Sequence, residues 1–265
     1  MRIVVMVKQV PDTTEVRIDP KTGTLIREGV ASVMNPDDRL GLETALSLKD
    51  AAGGEVIAVS MGPPQAVDVL SEAYAMGADR GVLLTDINFA GADTWATSYT
   101  LGKVVERLAA EEPVDLVICG RQAIDGDTAQ IGPQLAEHLG WPQVTYVGQV
   151  RSEGDQLRAW RRLPDGDQEV LCPLPAVVTV LDTPGEPRWP RVERLLEACR
   201  PRAPLESWNA ADIGAPADKT GLRGSLTQVV ETFSPKTKRE TRWLEGTPAE
   251  QAAALVADLR EKKVL

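Results

Sequence analysis

The run VDLVIC (Val114–Cys119) leads directly into GRQAIDGDTAQIGP (Gly120–Pro133), and the reading of this junction decides the fold. The first part is an apolar run of strand length, and the pattern from Thr128 to Leu139 predicts an amphipathic helix. A strand that empties through a polar, glycine-containing turn into a helix leaves backbone N–H groups without partners at a positive dipole end. That arrangement suits a phosphate. Asp125 and Asp127 would repel a phosphate they faced, so they are expected to cap the helix or to brace the turn through side-chain to backbone bonds. The amides of Thr128, Ala129, Gln130 and Ile131 are then the expected anion ligands. On these residues alone, an ordinary strand-to-helix connection fits as well.

The same alternation extends outward. Ile3–Val7 (IVVMV), Val56–Ser60 (VIAVS) and Gly81–Leu84 (GVLL) are short runs without polar alternation, the pattern of parallel strands buried on both faces. Each leads toward a helix. Asn35-Pro36-Asp37-Asp38 is a start signal before Leu40, Leu42, Ala45, Leu46 and Leu48; Pro63-Pro64 precedes Ala66–Met76; Asp93-Thr94 precedes Ala96–Leu108. The reading is α/β: a doubly wound, mostly parallel sheet with an antiparallel extension. Ligands of such sheets bind beyond the carboxyl ends of the strands, where the loops begin at Lys8, Met61, Asp86 and Gly120.

A hairpin-like excursion is predicted over Val16–Ile26, turning at Pro20-Lys21-Thr22-Gly23. Val150–Arg151, Leu157–Leu163, Glu169–Cys172 and Ala176–Leu181 read as the antiparallel extension. From Pro184 strand periodicity is lost among Pro187, Pro190, Pro201 and Pro204, which predicts an arm. The expected organisation is a nucleotide-binding domain over residues 1–183 and an arm with a docking segment over 184–265. Thr247-Pro248-Ala249-Glu250 is a capping box that starts a last helix, Glu250–Lys262, whose apolar Ala253, Leu255, Val256 and Leu259 must dock.

With 265 residues and 43% hydrophobic content, the chain can bury the core of one large domain, or of a domain with an appendage. A net charge of -10 argues against a nucleic-acid partner. Cys119, Cys172 and Cys199 are widely spaced with only His138 to assist them, which argues against a zinc site or a disulfide framework. No apolar run is long enough to insert in a bilayer, and MRIVVMVKQV enters a strand at once instead of forming a leader. The chain is expected to stay where it is made, in the cytoplasm.

Several segments, taken together and in order, resemble the beta subunit of electron-transfer flavoprotein. They are VKQVPD (Val7–Asp12), VMNPDD (Val33–Asp38), VSMGPPQA (Val59–Ala66), AMGADRG (Ala75–Gly81), the Gly120–Pro133 loop, LPAVVTV (Leu174–Val180), EPRWP (Glu186–Pro190) and EGTPAE (Glu245–Glu250). The resemblance implies a domain of the adenine-nucleotide alpha-hydrolase type and a heterodimer with a larger, FAD-carrying alpha subunit. It also implies an adenine nucleotide held by Met6, Val7 and Lys8, by Asn35 to Asp38, by Met61, and by Gly120, Arg121, Gln122, Ala123, Asp125, Gly126, Asp127, Thr128, Ala129, Gln130 and Ile131. Asn35 would pair with an adenine or ribose edge, and Met6 and Met61 would offer polarizable apolar surface. Core packing and helix capping are the ordinary roles of the same residue types.

One branch of that family holds AMP structurally, and the branch associated with electron bifurcation holds a second FAD. DGDTAQ (Asp125–Gln130) and FAGADTWAT (Phe89–Thr97) resemble the FAD branch. Gly126 would admit a diphosphate where the AMP branch tends to carry a bulkier acidic residue. Thr94 and Thr97 would offer hydroxyls to the flavin ring, or else serve as caps. The implied activity is flavin-based electron transfer with no side chain acting as nucleophile or general base. NADH would reduce the beta-site FAD, one electron passing to ferredoxin or flavodoxin and the other through the alpha-subunit FAD to a partner dehydrogenase or other oxidoreductase. In the alternative, AMP is structural and dehydrogenases reduce the alpha-subunit FAD.

Thr22–Val30 (TGTLIREGV) matches a family segment near the flavin, which would bring Arg27 or Glu28 to the nicotinamide donor; solvated hairpin charges are the other reading. Glu186–Arg200 resembles the family's recognition loop, with Glu186, Arg188, Val192 and Leu195 expected to meet a partner. LLEACRPRA (Leu195–Ala203) departs from the Lys-rich segment that usually follows. A stand-alone ATP-binding or adenylating enzyme of this fold would carry a glycine-rich loop after the first strand, and Lys8-Gln9-Val10-Pro11 has no glycine.

Overall fold

The computed structural model describes residues 1–12, 31–231 and 241–265. In chain order the elements begin with β1 (Arg2–Met6), β2 (Gln9–Pro11), β3 (Ser32–Met34), α1 (Pro36–Ala52), β4 (Glu55–Met61), α2 (Val67–Met76), β5 (Arg80–Leu84), α3 (Thr94–Glu111) and β6 (Leu116–Gly120). They continue with α4 (Ile131–Leu139), β7 (Gln143–Glu153), β8 (Gln156–Leu163), β9 (Gly166–Pro173), β10 (Ala176–Val180), α5 (Val192–Ala198), β11 (Leu205–Trp208), α6 (Gly221–Gly224) and α7 (Pro248–Glu261).

Nine strands form one sheet in the order β11-β5-β4-β1-β6-β10-β7-β8-β9. Pairing is parallel from β11 to β7 and antiparallel for β8 and β9. Every residue of β1, β6 and β10 is buried, as expected of strands covered on both faces. Successive side chains feed opposite layers. Ile3 and Val5 pack with Leu42, Ala45 and Leu46 of α1, while Val4 and Met6 share the other layer with Val104, Val105 and Leu108 of α3 and with Leu135 of α4. From β1 the chain steps outward to β4 and β5, then returns to β6 on the other side of β1. This reversal opens a crevice at the carboxyl ends of β1 and β6.

Two strand assignments differ from the sequence reading. Ala176–Val180 is not part of the antiparallel extension; β10 lies parallel between β6 and β7 and is buried throughout. The extension comes from the long β7, which pairs parallel with β10 along its first half and antiparallel with β8 along its second. Tyr146, at φ 59, marks the change of course. The stretch after Pro184, read without strands, contains β11, which pairs with β5 over Leu205–Trp208. Only Trp208 of its residues is fully buried, beneath the guanidinium groups of Arg80 and Arg107 at 5.5 and 4.4 Å from the ring centroid. A run of four residues is too short to show a periodicity.

The described residues divide into compact units, Met1–Val229 and Val230–Leu265. In the second, α7 carries both halves of its capping box, Thr247 accepting the Glu250 amide and Glu250 accepting the Thr247 amide at 2.7 Å. No residue of α7 is buried, and Leu255 and Val256 are exposed. The excursion predicted over Val16–Ile26, with Arg27 and Glu28, lies outside the described residues.

Gly120 is held by close approach. A Cβ there would lie 2.6 Å from the Asp37 carbonyl carbon and 2.7 Å from the Asp38 amide nitrogen, both main-chain atoms that cannot yield cheaply. Gly120→Ala is therefore expected to destabilise the protein by about 1–3 kcal/mol, read as a lower urea midpoint with an unchanged slope.

Candidate functional site

The crevice between β1 and β6 is closed by three side chains from one short stretch of α1 and the residue before it. Asn35, fully buried, donates from Nδ2 to the Gln122 carbonyl at 2.9 Å and accepts the Ile124 amide at 3.0 Å. Asp38 accepts the Lys8 amide at 2.9 Å, while the Asn35 amide donates to the Lys8 carbonyl at 2.9 Å. Asp37 accepts from Arg121 Nε at 3.1 Å. The start of α1 thus fastens the end of β1 to the loop after β6. Asn35 was expected to pair with an adenine or ribose edge; its carboxamide bonds the loop backbone, at the part-buried Gln122 carbonyl and Ile124 amide.

Burial pushes the Asp38 carboxyl up to about 7, against the lowering effect of its hydrogen bonds with Asn35 and the Lys8 and Gly120 amides and of the Lys8 charge. Burial, with the Asp38 charge adding to it, pushes the neighbouring Cys119 thiol well above its ordinary range, so Cys119 is no nucleophile.

The acidic residues of the loop brace it. Lys8 Nζ reaches both oxygens of Asp125 at 2.7 and 2.9 Å, and Gln122 Nε2 donates to Asp127 at 2.7 Å. Neither caps α4, which begins at Ile131 and not at Thr128, with Gln130 as its N-cap. Asp127 and Ala129 take positive φ values of 49 and 52, and Gln130 returns to -102. Such alternation turns successive N–H groups toward one concave side, an anion-binding nest. No acceptor among the described residues serves the amides of Thr128, Ala129, Gln130 and Ile131. Non-glycine residues held in the left-handed region cost of order 1–3 kcal/mol each, and they concentrate at ligand clamps. At Gly126 an added Cβ would meet no atom within 4 Å, so no contact inside the chain demands a glycine there. The donor set is neutral and convergent, and it fits a phosphate or diphosphate.

The remaining expected ligands divide. Gly120, Arg121, Gln122 and Ala123 lie in the loop; the Arg121 amide is tied to the Val180 carbonyl at 2.8 Å, and the Ala123 carbonyl accepts the Gly126 and Asp127 amides. Met6 and Val7 are buried in opposite core layers, and Met61 packs against the layer that holds Met6. The Met6 side chain is therefore core, and its main chain alone ends at the crevice. Thr94 Oγ1 donates to Gln130 Oε1 at 2.8 Å and accepts from Gln134 Nε2 at 3.3 Å, which ties α3 to the nest loop. Thr97 is half-buried within α3, its amide bonded to the Asp93 carbonyl.

Sequence reasoning passed over Gln134 and Gly132. A Cβ on Gly132 would collide with the Thr179 methyl group, so this glycine lets α4 start directly on β10. The signal was present in Ile131-Gly132-Pro133, a glycine inside a helix start.

On the arm, Arg188 is not free for a partner. It pairs with both oxygens of Glu43 at 2.9 Å and with Asp50 at 2.8 Å, bonds that fasten the arm to α1. Val192, Leu195 and Glu186 are exposed, joined by Trp189 and Leu196. Among the described residues no helix is long and apolar enough to cross a membrane, and no cluster of metal-ligating side chains occurs.

Residues 22–213 match the family described as Electron transfer flavoprotein domain. The chain belongs to the electron transfer flavoprotein family. It is 47% identical over 267 residues to "Caffeyl-CoA reductase-Etf complex subunit CarD" of Acetobacterium woodii, with 100% of both chains covered. It is 46% identical to "Electron transfer flavoprotein subunit beta" of Thermoanaerobacterium thermosaccharolyticum over 100% of both chains, and 48% identical to the protein of that name in Clostridium acetobutylicum over 99% of both. The role is that of an electron transfer flavoprotein beta subunit, a chain that pairs with an alpha subunit.

Two outcomes follow from the clamp. Asn35→Ala removes the side-chain partner of the part-buried Gln122 carbonyl and Ile124 amide, which is expected to cost about 0.5–1.5 kcal/mol for each bond lost, measured by chemical denaturation. For Asp38 the folded pKa lies above the unfolded value of 3.8, so the fold retains a proton that the unfolded chain gives up. Its stabilising contribution is complete below the unfolded value and fades as pH rises through about 7. Subtracting the stability profile of Asp38→Asn from that of the parent should isolate a difference that declines across this window; a flat difference would refute the assignment.

Proposed function

We propose that this beta subunit holds FAD on the loop over Gly120–Ile131 and, with its alpha subunit, carries electrons from NADH or a dehydrogenase by flavin-based bifurcation. The observation that carries this reading is the nest. Unpaired amides converge over Thr128–Ile131 beside a glycine, Gly126, whose missing side chain leaves open space. An AMP phosphate needs the amides; a diphosphate needs the room beside Gly126 as well. The likeness to the A. woodii subunit, named for a reductase-Etf complex, favours the same side.

Bound there, FAD supplies hydride acceptance and one-electron release, and the chain supplies binding and orientation. The loop amides hold the anionic linker, and Lys8 neutralises Asp125 so that the carboxylate does not oppose it. Asn35 and Asp38 fix the loop against β1. Residues 186–196 then present the surface for a partner oxidoreductase. AMP as a structural nucleotide is the second reading, favoured by one observation: the Thr94 hydroxyl is already engaged by Gln130 and Gln134 and so is not free for a flavin ring.

Counting flavins by absorbance in the purified heterodimer, after reconstitution with excess FAD, distinguishes the two. Two flavins per heterodimer are expected, and one would leave AMP. Gly126→Asp should lose the beta-site FAD while retaining AMP; unchanged FAD occupancy would count against the diphosphate geometry.

A further inference from the structure

Asp93 is the N-cap of α3, its Oδ1 accepting the Ala96 amide at 3.0 Å, yet most of its bonds go elsewhere. Oδ2 accepts both the amide and the hydroxyl of Thr227 at 2.9 Å, and the Asp93 amide donates to Ser225 Oγ at 2.9 Å. The same turn accepts the Leu222 amide at the Ala90 carbonyl, 3.1 Å away. Gly221, at φ 54, sits so close that a Cβ would lie 2.9 Å from the Ala90 oxygen. Residues 221–227 are therefore laced along the turn that precedes α3, and the second compact unit begins at Val230.

The next residue of the helix, Thr94, is bonded to Gln130 and Gln134. Gln130 directly follows Ala129, one of the two left-handed residues that shape the nest. An unbroken chain of bonds thus runs from Thr227 through Asp93 and Thr94 to the anion-binding loop. Neither Thr227 nor Ser225 lies in that loop.

We propose that Asp93 is a positioning residue that couples the nucleotide loop to the segment leading into the C-terminal unit, so that nucleotide binding and the seating of residues 225–229 stabilise each other. The proposal rests on the reading that the loop holds an adenine nucleotide. Coupling of this kind is reciprocal: whatever factor the seated segment adds to nucleotide affinity, the nucleotide must add to the seating. A cap alone would show no such reciprocity.

The test uses the full heterodimer, with FAD and AMP each as probe. Hydrogen exchange of beta-chain peptides spanning 225–229 should slow roughly tenfold when either nucleotide is bound, a factor within the usual range of coupling. Asp93→Ser retains a capping oxygen for Ala96 but loses the second acceptor, and Thr227→Val removes the hydroxyl bond from the far side. Both should weaken nucleotide binding roughly tenfold and abolish the protection. A merely structural role would lower the unfolding midpoint and leave the nucleotide-dependent protection intact. If nucleotide binds the parent but exchange over 225–229 does not respond, or if both variants keep parental affinity, the coupling is wrong and the site reading stands. If neither FAD nor AMP binds the beta chain of the parent, both fall.

Discussion

The bond pair made by the Asn35 carboxamide is the constraint on which the rest of the site depends. A doubly wound sheet reverses direction between β1 and β6, and nothing in the sheet itself defines the shape of the loop that leaves β6. Asn35 supplies that shape by bonding the Gln122 carbonyl and the Ile124 amide from a side chain that is itself fully buried. Asp38 and Asp37 complete the fastening at Lys8 and Arg121. With the first half of the loop immobilised, the second half can hold the strained alternation at Asp127 and Ala129.

Much of the architecture was legible because parallel strands buried on both faces have a distinctive text. The apolar runs at β1, β4, β5 and β6 and the start signals at Asn35, Pro64 and Asp93 all fall where the elements form. The strand β10 carries the same text, AVVTV, but it follows a hairpin whose alternation colours the reading of its neighbours. At β11 the only guide is Trp208, whose burial depends on arginines far away in the chain. No local pattern can announce such a strand.

At the site, residue positions were legible and residue roles were less so. The loop over Gly120–Ile131 and the acidic residues that brace it are visible in sequence, because turn chemistry is local. Left-handed conformations at Asp127 and Ala129 are not, since alanine has no preference for them and only the completed clamp imposes them. Asn35, Met6 and Thr94 carry functional groups that suit a ligand, and each is claimed by the protein itself: by a backbone, by a core layer and by a pair of glutamines. Short-range reasoning names the atoms available, and long-range packing decides who receives them.

The anion seat is made of main-chain amides, while the cations Lys8 and Arg121 of the adjoining loops are already matched by Asp125 and Asp37. Attraction for a phosphate there comes from aligned, uncharged dipoles a few ångströms away, and such fields act at shorter range than the Debye length at physiological ionic strength. The seat is thereby insulated from the -10 charge of the whole chain. Surface acidity can drift in evolution, or be rewritten to suit different partners, without retuning the grip on the ligand.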